Sequence, residues 1–415
     1  MKTSQTGLAS LPPGRHDANA SRLVSLDVVR GMAVLGILAA NIVGMGQPMV
    51  AYGWPSGFLN DPGPLSDWLW GMQLVFVDGK FRGLFTLLFG AGMMLFQRRA
   101  EERGLGQGLL VRRLAWLALF GLVHWALLWR GDILLTYAVA GLVALPFLAW
   151  PAHKQFALGL AGYLVGAATL LGALAAMVAV DPAGWREIAA EEMADGRMEG
   201  VVKATGGYDG WLAHNFGAHL EELPAGVLWA LFETLPLLLI GMSLVAAGVF
   251  DGRAALRRQL RWGLGLWIAG TVATAMIAGS VIRGGIGYED SLIAPAWVAF
   301  PALASALGLL ALLSLWGQRA TGWLARRLAD AGRCAFTNYI GCSALALVVF
   351  SGWGLGLFGK LGRLELYGVM LLFWAVMLAW PGWWLARFRH GPLEWAWRCL
   401  TYGTLLPFRR GSPRP

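Results

Sequence analysis

Residues 121–141 read GLVHWALLWRGDILLTYAVAG, almost wholly apolar, yet His124, Arg130 and Asp132 fall within nine residues. The stretch reads as the end of one long apolar helix, a tight turn at Trp-Arg-Gly-Asp, and the start of a second such helix. A helix that crosses a bilayer needs about 20 mostly apolar residues. Such runs recur on both sides, near 24–46, 81–97, 113–129, 132–150, 156–180, 226–250, 261–282, 292–316, 333–351 and 365–387. The expected fold is therefore all-α, a polytopic membrane protein of about ten transmembrane helices.

Composition agrees with this reading. The 415 residues are 57% hydrophobic and 14% charged, whereas a soluble domain carries about 25% charged residues. No segment alternates polar and apolar residues as membrane strands do.

Lys and Arg gather on the cytoplasmic side of membrane proteins. With the N-terminus inside, 24 of the 33 basic residues fall on inside segments of the ten-span scheme, including Arg112, Arg113 and the six arginines from Arg387 onward. Both termini are therefore expected in the cytoplasm. The net charge of +9 follows from that orientation and needs no nucleic-acid partner. The parts are a disordered tail (1–22), a first transmembrane half (23–180), an acidic outer loop (181–225), a second half (226–388) and a cytoplasmic interfacial helix with its tail (389–415). The first apolar run is longer than a signal-peptide core and is expected to be retained.

Three cysteines define no disulfide framework. Cys334 and Cys342, eight apart on one expected helix, would lie about 12 Å apart by helical rise, beyond disulfide reach.

The outer loop carries nine acids against three basic residues, followed by GGYDGWLAHNFGAHL. It starts like a helix, with Asp181 as cap and Pro182 in the first position. It is either a lid for a polar or cationic substrate or a solvated loop with interfacial aromatics. His214 and His219 are five apart and do not share a helix face as an i,i+4 metal pair would. No metal is expected.

Ionisable groups at membrane depth are costly and mark sites or buried partners. Asp27 and Arg30 are neighbours on the first helix. Arg30 and Asn41, eleven residues apart, line one face about 16 Å apart; a deep Asn serves chemistry or helix–helix contact. Asp132 can cap the helix after the turn or act on His124. His124 lies about 9 Å below the turn, as a general base or as a buried, hydrogen-bonded ring. Tyr137 can point into the same space. Asp78, Lys80 and Arg82 crowd the mouth of the second span, as anchors or, for Arg82, as a substrate group. Glu233 is a further intramembrane carboxylate, with Pro236 suggesting a kink. Thr337, Asn338, Tyr339 and Ser343 form a polar patch on the ninth span. In RHGPLEWAWRCLTYG, Pro392 fits a first helical position and Glu394 and Arg398 an i,i+4 pair on a surface helix.

Taken in order, RLVSLDVVRGMAVLGILAANI, KFRGLFTLLFGAGM, RRLAWLALFGLVHWALLWRGDILLTYAVAG, AGRCAFTNYIGCS and GPLEWAWRCLTYG resemble the DUF418 or YeiB-like family of bacterial membrane proteins. The family shows Thr-Asn-Tyr-Leu-x-Gln-Ser where this chain has Cys342 in place of the Gln. The family is in turn similar to transmembrane acyltransferases such as the heparan glucosaminide acetyltransferases, through Asp27, Arg30, Gly31 and Asn41. Those enzymes use a histidine in or soon after the first helix, and this chain has none there.

The resemblance implies acyl transfer from cytosolic acyl-CoA, the candidate co-substrate, to an extracytoplasmic acceptor such as a sugar, lipid or small molecule. His124 would then act as base, oriented by Asp132. Arg30, Arg112 and Arg113 would hold the CoA phosphates, or merely reflect the inside bias. Asn41 or Asn338 would donate to the oxyanion, and Asp27, Arg82, Tyr137, Asn338 and Tyr339 would line the substrate space. The alternative is a transporter or exporter of a small amphiphilic or polar substrate; a third is a scaffolding membrane protein. Lipids are the expected surroundings. Small-residue pairs such as Gly90–Gly92 and Gly352–Gly356 suit close helix packing within one chain or between the copies of a homodimer.

Overall fold

A computed structural model of the protein describes residues 24–181 and 184–410. The expected tail at 1–22, Pro182 and everything past residue 410 lie outside the described residues. The helices, in order, are α1 (Val24–Gly46), α2 (Met49–Gly53), α3 (Ser66–Phe76), α4 (Lys80–Glu101), α5 (Gly108–Leu127), α6 (Leu134–Ala144), α7 (Ala152–Val180), α8 (Gly184–Thr205), α9 (Tyr208–His219), α10 (Glu222–Ala246), α11 (Leu256–Gly284), α12 (Tyr288–Arg319), α13 (Trp323–Arg333), α14 (Ala335–Phe350), α15 (Arg363–Arg387) and α16 (Pro392–Tyr402).

Each of the ten apolar runs falls on helix. Among the described residues seven helices, α1, α5, α7, α10, α11, α12 and α15, are long and apolar enough to cross a membrane. The other three runs differ in kind. Helix α4 carries Lys80 and Arg82 at one end and Arg98, Arg99 and Glu101 at the other. Helix α6 is short, although apolar structure continues to Ala149. The run at 333–351, expected as one span, belongs to a pair in which α13 and α14 meet at 82°.

A specific cap makes that bend. The first N–H groups of any helix lack intrahelical acceptors. Here Phe336 N and Thr337 N both donate to Glu394 Oε1, at 2.8 and 3.0 Å, and the Thr337 hydroxyl donates to Oε2 at 2.6 Å. The chain can restart a helix after Cys334 because α16 supplies a carboxylate for the new N-terminus. Glu394 is thus spent on α14 rather than on the expected pair with Arg398.

Helix α1 is the central pillar. It packs on α4 of the first half and on α12, α13, α14 and α15 of the second, so the two halves interleave. In a bilayer, close packing rather than transfer from water drives helix association. The α1–α13 crossing shows why glycine is required: a Cβ at Gly31 would lie 2.0 Å from the Leu328 carbonyl oxygen, and one at Gly332 1.8 Å from that of Asp27. Gly90 likewise abuts Leu238 on α10, whereas Gly92 faces open space.

The acidic loop keeps most of its acids exposed, but it folds into helices rather than running free. Its two helices lie on the bundle, with Trp185, Trp211, Glu199, Asn215 and His219 buried. Asp181 Oδ1 accepts from Gly184 N at 2.9 Å, as the capping pattern predicts. Gly352 N donates to Lys203 O at 2.7 Å, and a Cβ at Gly352 would strike Ala204 O at 2.1 Å. That small residue therefore serves the contact between α8 and the bundle, not a contact between spans.

Candidate functional site

The turn between α5 and α6 explains the polar residues of residues 121–141. Asp132 does two jobs at once. Its Oδ2 accepts from Leu135 N at 2.8 Å in the first turn of α6, and its Oδ1 lies 2.8 Å from His124 Nδ1. The two structural alternatives for Asp132 are therefore both realised, one on each oxygen. An ionised carboxylate can only accept, so Nδ1 carries the ring proton and Nε2 is left as an acceptor. Nε2 lies 2.9 Å from Ser343 Oγ on α14. Serine, imidazole and carboxylate form one chain of hydrogen bonds, the arrangement that makes a serine hydroxyl nucleophilic. The His124 and Asp132 side chains are 0% and 2% exposed, and the Tyr339 ring stands 5.0 Å from that of His124. The imidazole faces its partners, not lipid.

Ser343 borders a narrow cavity between the bundle and α8–α9, with about 20 Å³ of free space, room for about one water molecule. Met45, Trp129, Arg130, Glu199, His214 and Asn215 are among the residues around it. Arg130 Nη2 and Lys203 Nζ each lie 2.9 Å from a Glu199 oxygen. Burial pushes the Glu199 carboxyl up, but Lys203 and Arg130 together outweigh it and hold the group below the usual range. Trp129 lines this cavity, and among the described residues its buried Nε1 has no hydrogen-bond partner, nor does His214 Nε2.

His214 and His219 do meet, despite their spacing: the rings are T-shaped at 5.3 Å, because His219 is the last residue of α9. With Asp195 they bring three ligand atoms within 4.8 Å of one another. The lone pair a metal would need is engaged, however: His219 Nε2 takes the Arg130 guanidinium and Nδ1 faces Glu222 at 3.2 Å. A cation would have to displace a cation there.

The remaining sequence candidates are scattered. Asn41 is half-buried on α1 and does not line the cavity, though Met45, one turn on, does. Asn338 is corrected: its amide nitrogen faces Ala331 O and Met377 O, and its oxygen accepts from Trp380 Nε1 at 2.7 Å, so it ties the α13–α14 bend to α15 rather than facing His124. The Tyr137 hydroxyl turns to Thr86 at 2.9 Å, and its ring stacks with Phe85 and Phe89, away from the relay. Tyr339 accepts from Ile133 N at 3.2 Å and braces the turn.

Arg82 pairs with Glu233 on α10, which continues through Pro236. Lys80 is no surface anchor: it is buried and donates to Leu74 O at 2.6 Å. Asp27 and Arg30 pair at 3.2 Å. Arg112 Nη1 reaches Thr401 O at 3.3 Å, and Arg113 stacks 3.5 Å over Trp397. Arg113 also lies within electrostatic reach of Arg30 and Arg398, so α1, α5 and α16 gather one basic cluster at the far end of α5 from His124. Sequence reasoning missed Ser343 as a partner, and missed Trp129, Arg130 and Glu199. The only local signal was the serine's place in a polar patch.

The fold and site define an all-helical protein with the long apolar helices of a multi-pass membrane protein, and a buried Ser–His–Asp hydrogen-bond chain beside α8 and α9. The family model "Protein of unknown function (DUF418)" matches residues 244–404. The chain is 32% identical over 393 residues to the Escherichia coli (strain K12) protein YeiB, covering 92% of this chain and 96% of that one. It is 27% identical to Bacillus subtilis (strain 168) YxaH over 404 residues, covering 94% and 96%. A Bacillus acidopullulyticus 39.9 kDa protein encoded in the amylase 3′ region is 28% identical over 403 residues, covering 93% and 95%. The chain belongs to the DUF418/YeiB-like family. No solved structure matches it.

Proposed function

We propose that the protein is a membrane-embedded acyltransferase that moves an acyl group from cytosolic acyl-CoA to an extracytoplasmic acceptor, in a ten-span bacterial inner-membrane fold with both termini in the cytoplasm. The relay Ser343–His124–Asp132 beside the α8–α9 cavity carries this reading.

In the first half-reaction Ser343 Oγ attacks the thioester carbonyl while His124 Nε2 takes its proton. The C–S bond breaks, the proton passes to the departing thiolate, and an acyl-serine ester remains. In the second, an acceptor hydroxyl or amine gives its proton to His124 as it attacks the ester, and the proton returns to Ser343. Asp132 keeps Nδ1 protonated and stabilises the imidazolium. Trp129 Nε1, in the same cavity and without a partner among the described residues, takes over the oxyanion role expected of Asn41 or Asn338. One such donor is worth about 3–4 kcal/mol in the transition state.

Arg30, Arg112 and Arg113, with Arg398, suit the phosphates of CoA. Arg113 precedes His124 by eleven residues, about 16 Å along α5. The Phe120–Phe336 edge contact, with ring centroids 5.2 Å apart, lies at intermediate height and would part to admit the acyl arm. No residue of the basic cluster lines the α8–α9 cavity, so donor and acceptor would enter from opposite ends.

Purified protein incubated with radiolabelled acetyl-CoA should release free CoA and acquire label. Intact-mass and peptide analysis should place the acyl group on Ser343, and Ser343→Ala should abolish the adduct. Turnover that survives both Ser343→Ala and His124→Ala would sink the reading. The Arg82–Glu233 ion pair inside the bundle favours a second reading, a transporter of a small amphiphile, for which uptake into proteoliposomes without CoA release is the expected result.

A further inference from the structure

The relay leaves one costly feature of the bundle unexplained. Arg82 and Glu233 form an ion pair between α4 and α10, within apolar helices, and their side chains are 55% and 29% exposed. Arg82 does not sit on a bare outer face. Tyr52 of α2, Tyr137 of α6 and Tyr163 of α7 all lie within electrostatic reach of its guanidinium, and the Tyr137 hydroxyl reaches its backbone oxygen at 3.4 Å. A half-exposed side chain with groups of four other helices around it stands in a recess at the edge of the bundle.

The recess is polar on one wall and open on another. Glu233 engages Nη2 of Arg82. A guanidinium has five N–H donors, and no second side-chain partner of Arg82 is found among the described residues. Tyr163 faces inward and spends its hydroxyl on Ala299 O at 2.9 Å. Trp229, one turn before Glu233 and on the same face of α10, is 53% exposed. The recess therefore opens sideways, toward the surface where lipid lies. An accessible ion pair between apolar helices needs water or a polar ligand to complete its hydrogen bonds.

We infer that this recess is a second binding site, for the zwitterionic head group of a single-chain amphiphile entering from the bilayer. Its phosphate or carboxylate faces the unfilled donors of Arg82 and its ammonium faces Glu233. A head group with both charges completes the ion pair without leaving net charge in the apolar bundle, whereas an anion or cation alone would leave one. The apolar chain leaves past Trp229. The inference holds whether the protein is an enzyme or a transporter.

Native mass spectrometry of the full-length protein in detergent tests it, with three probes of equal chain length in pairwise competition. They are lysophosphatidylethanolamine, lysophosphatidic acid and an alkylamine. The wild type should prefer the zwitterion at least tenfold over either probe that carries charge of one sign only. Glu233→Gln should erase its advantage over lysophosphatidic acid, and Arg82→Gln its advantage over the amine. If Arg82→Gln does not fold, Glu233→Gln carries the test by itself. Equal uptake of all three probes by the wild type, or preferences that neither variant changes, overturns the proposal. Ser343→Ala should bind the probes as the wild type does, so a failed catalytic reading would leave this result interpretable.

Discussion

Asp132 and His124 are locked together at 2.8 Å while the second oxygen of the same carboxylate secures the start of α6. Orientation of the ring and geometry of the turn are thus one device. Asp132→Asn keeps the shape but lets an amide donate to Nδ1, which puts the ring proton on Nε2 and removes the base. In serine proteases that change costs about 10⁴ in kcat, and a fall of 10²–10⁴ is expected here. The remaining amide oxygen can still accept from Leu135 N, and Asn caps a helix about as well as Asp, so stability should change little. Thiol release from acyl-CoA and a melting curve separate the two effects; a large loss of stability with an unchanged rate would make Asp132 purely structural.

Trp129→Phe removes one N–H and keeps most of the ring. If that N–H faces the developing oxyanion, kcat should drop about 10²-fold with little change in KM. Steady-state kinetics decides it, and a rise in KM alone would assign Trp129 to ground-state binding.

Docking of α8 on the bundle should depend on pH with a definite sign. The Glu199 carboxyl is held low in the folded protein because Lys203 and Arg130 outweigh its burial. A depressed carboxyl contributes its full stabilisation above the unfolded-state value, near 4.5, and loses it as pH falls through the lower folded-state value. Hydrogen exchange of α8, corrected for intrinsic rates, should therefore stay slow at neutral pH and speed up only below the ordinary carboxyl range. Glu199→Gln should give fast exchange at all pH values, and slow exchange in this variant would show that the ion pairs do not hold α8.

Gly332→Leu should be among the most damaging single changes outside the relay. Any Cβ there meets the Asp27 carbonyl oxygen at 1.8 Å, and backbone cannot move aside as a side-chain tip can. Overpacking costs typically about 1–3 kcal/mol, occasionally more. Thermal melting in detergent reads the loss. An unchanged midpoint would mean that α1 and α13 can separate without penalty.

The ten-span orientation predicts which reporters react from which side. With the native cysteines replaced, a cysteine at Gly106 or Ala320 should react only after the membrane is breached. One at Gly210 should label in intact cells. Outside labelling of the first two would invert the topology.

Much of the architecture follows from one-dimensional information. An apolar run of about 20 residues forms a helix because a bilayer leaves backbone N–H and C=O groups no other partners, so every span expected from composition lies on helix. The pairing of Asp132 with His124 was legible for the same reason: eight residues across one tight turn leave little freedom. Ser343 lies 219 residues from His124 along the chain, and no local pattern encodes that distance. It reaches the ring because Glu394 lets α14 start afresh at 82° to α13 and because glycines let α1 and α13 touch. The same holds for α8: most of the charges around it are solvated, but Arg130 and Lys203 close on the buried Glu199. Local sequence determined which segments are helices and where the turn falls; long-range packing, caps supplied from other helices and backbone-to-backbone contact decided which polar groups share a cavity.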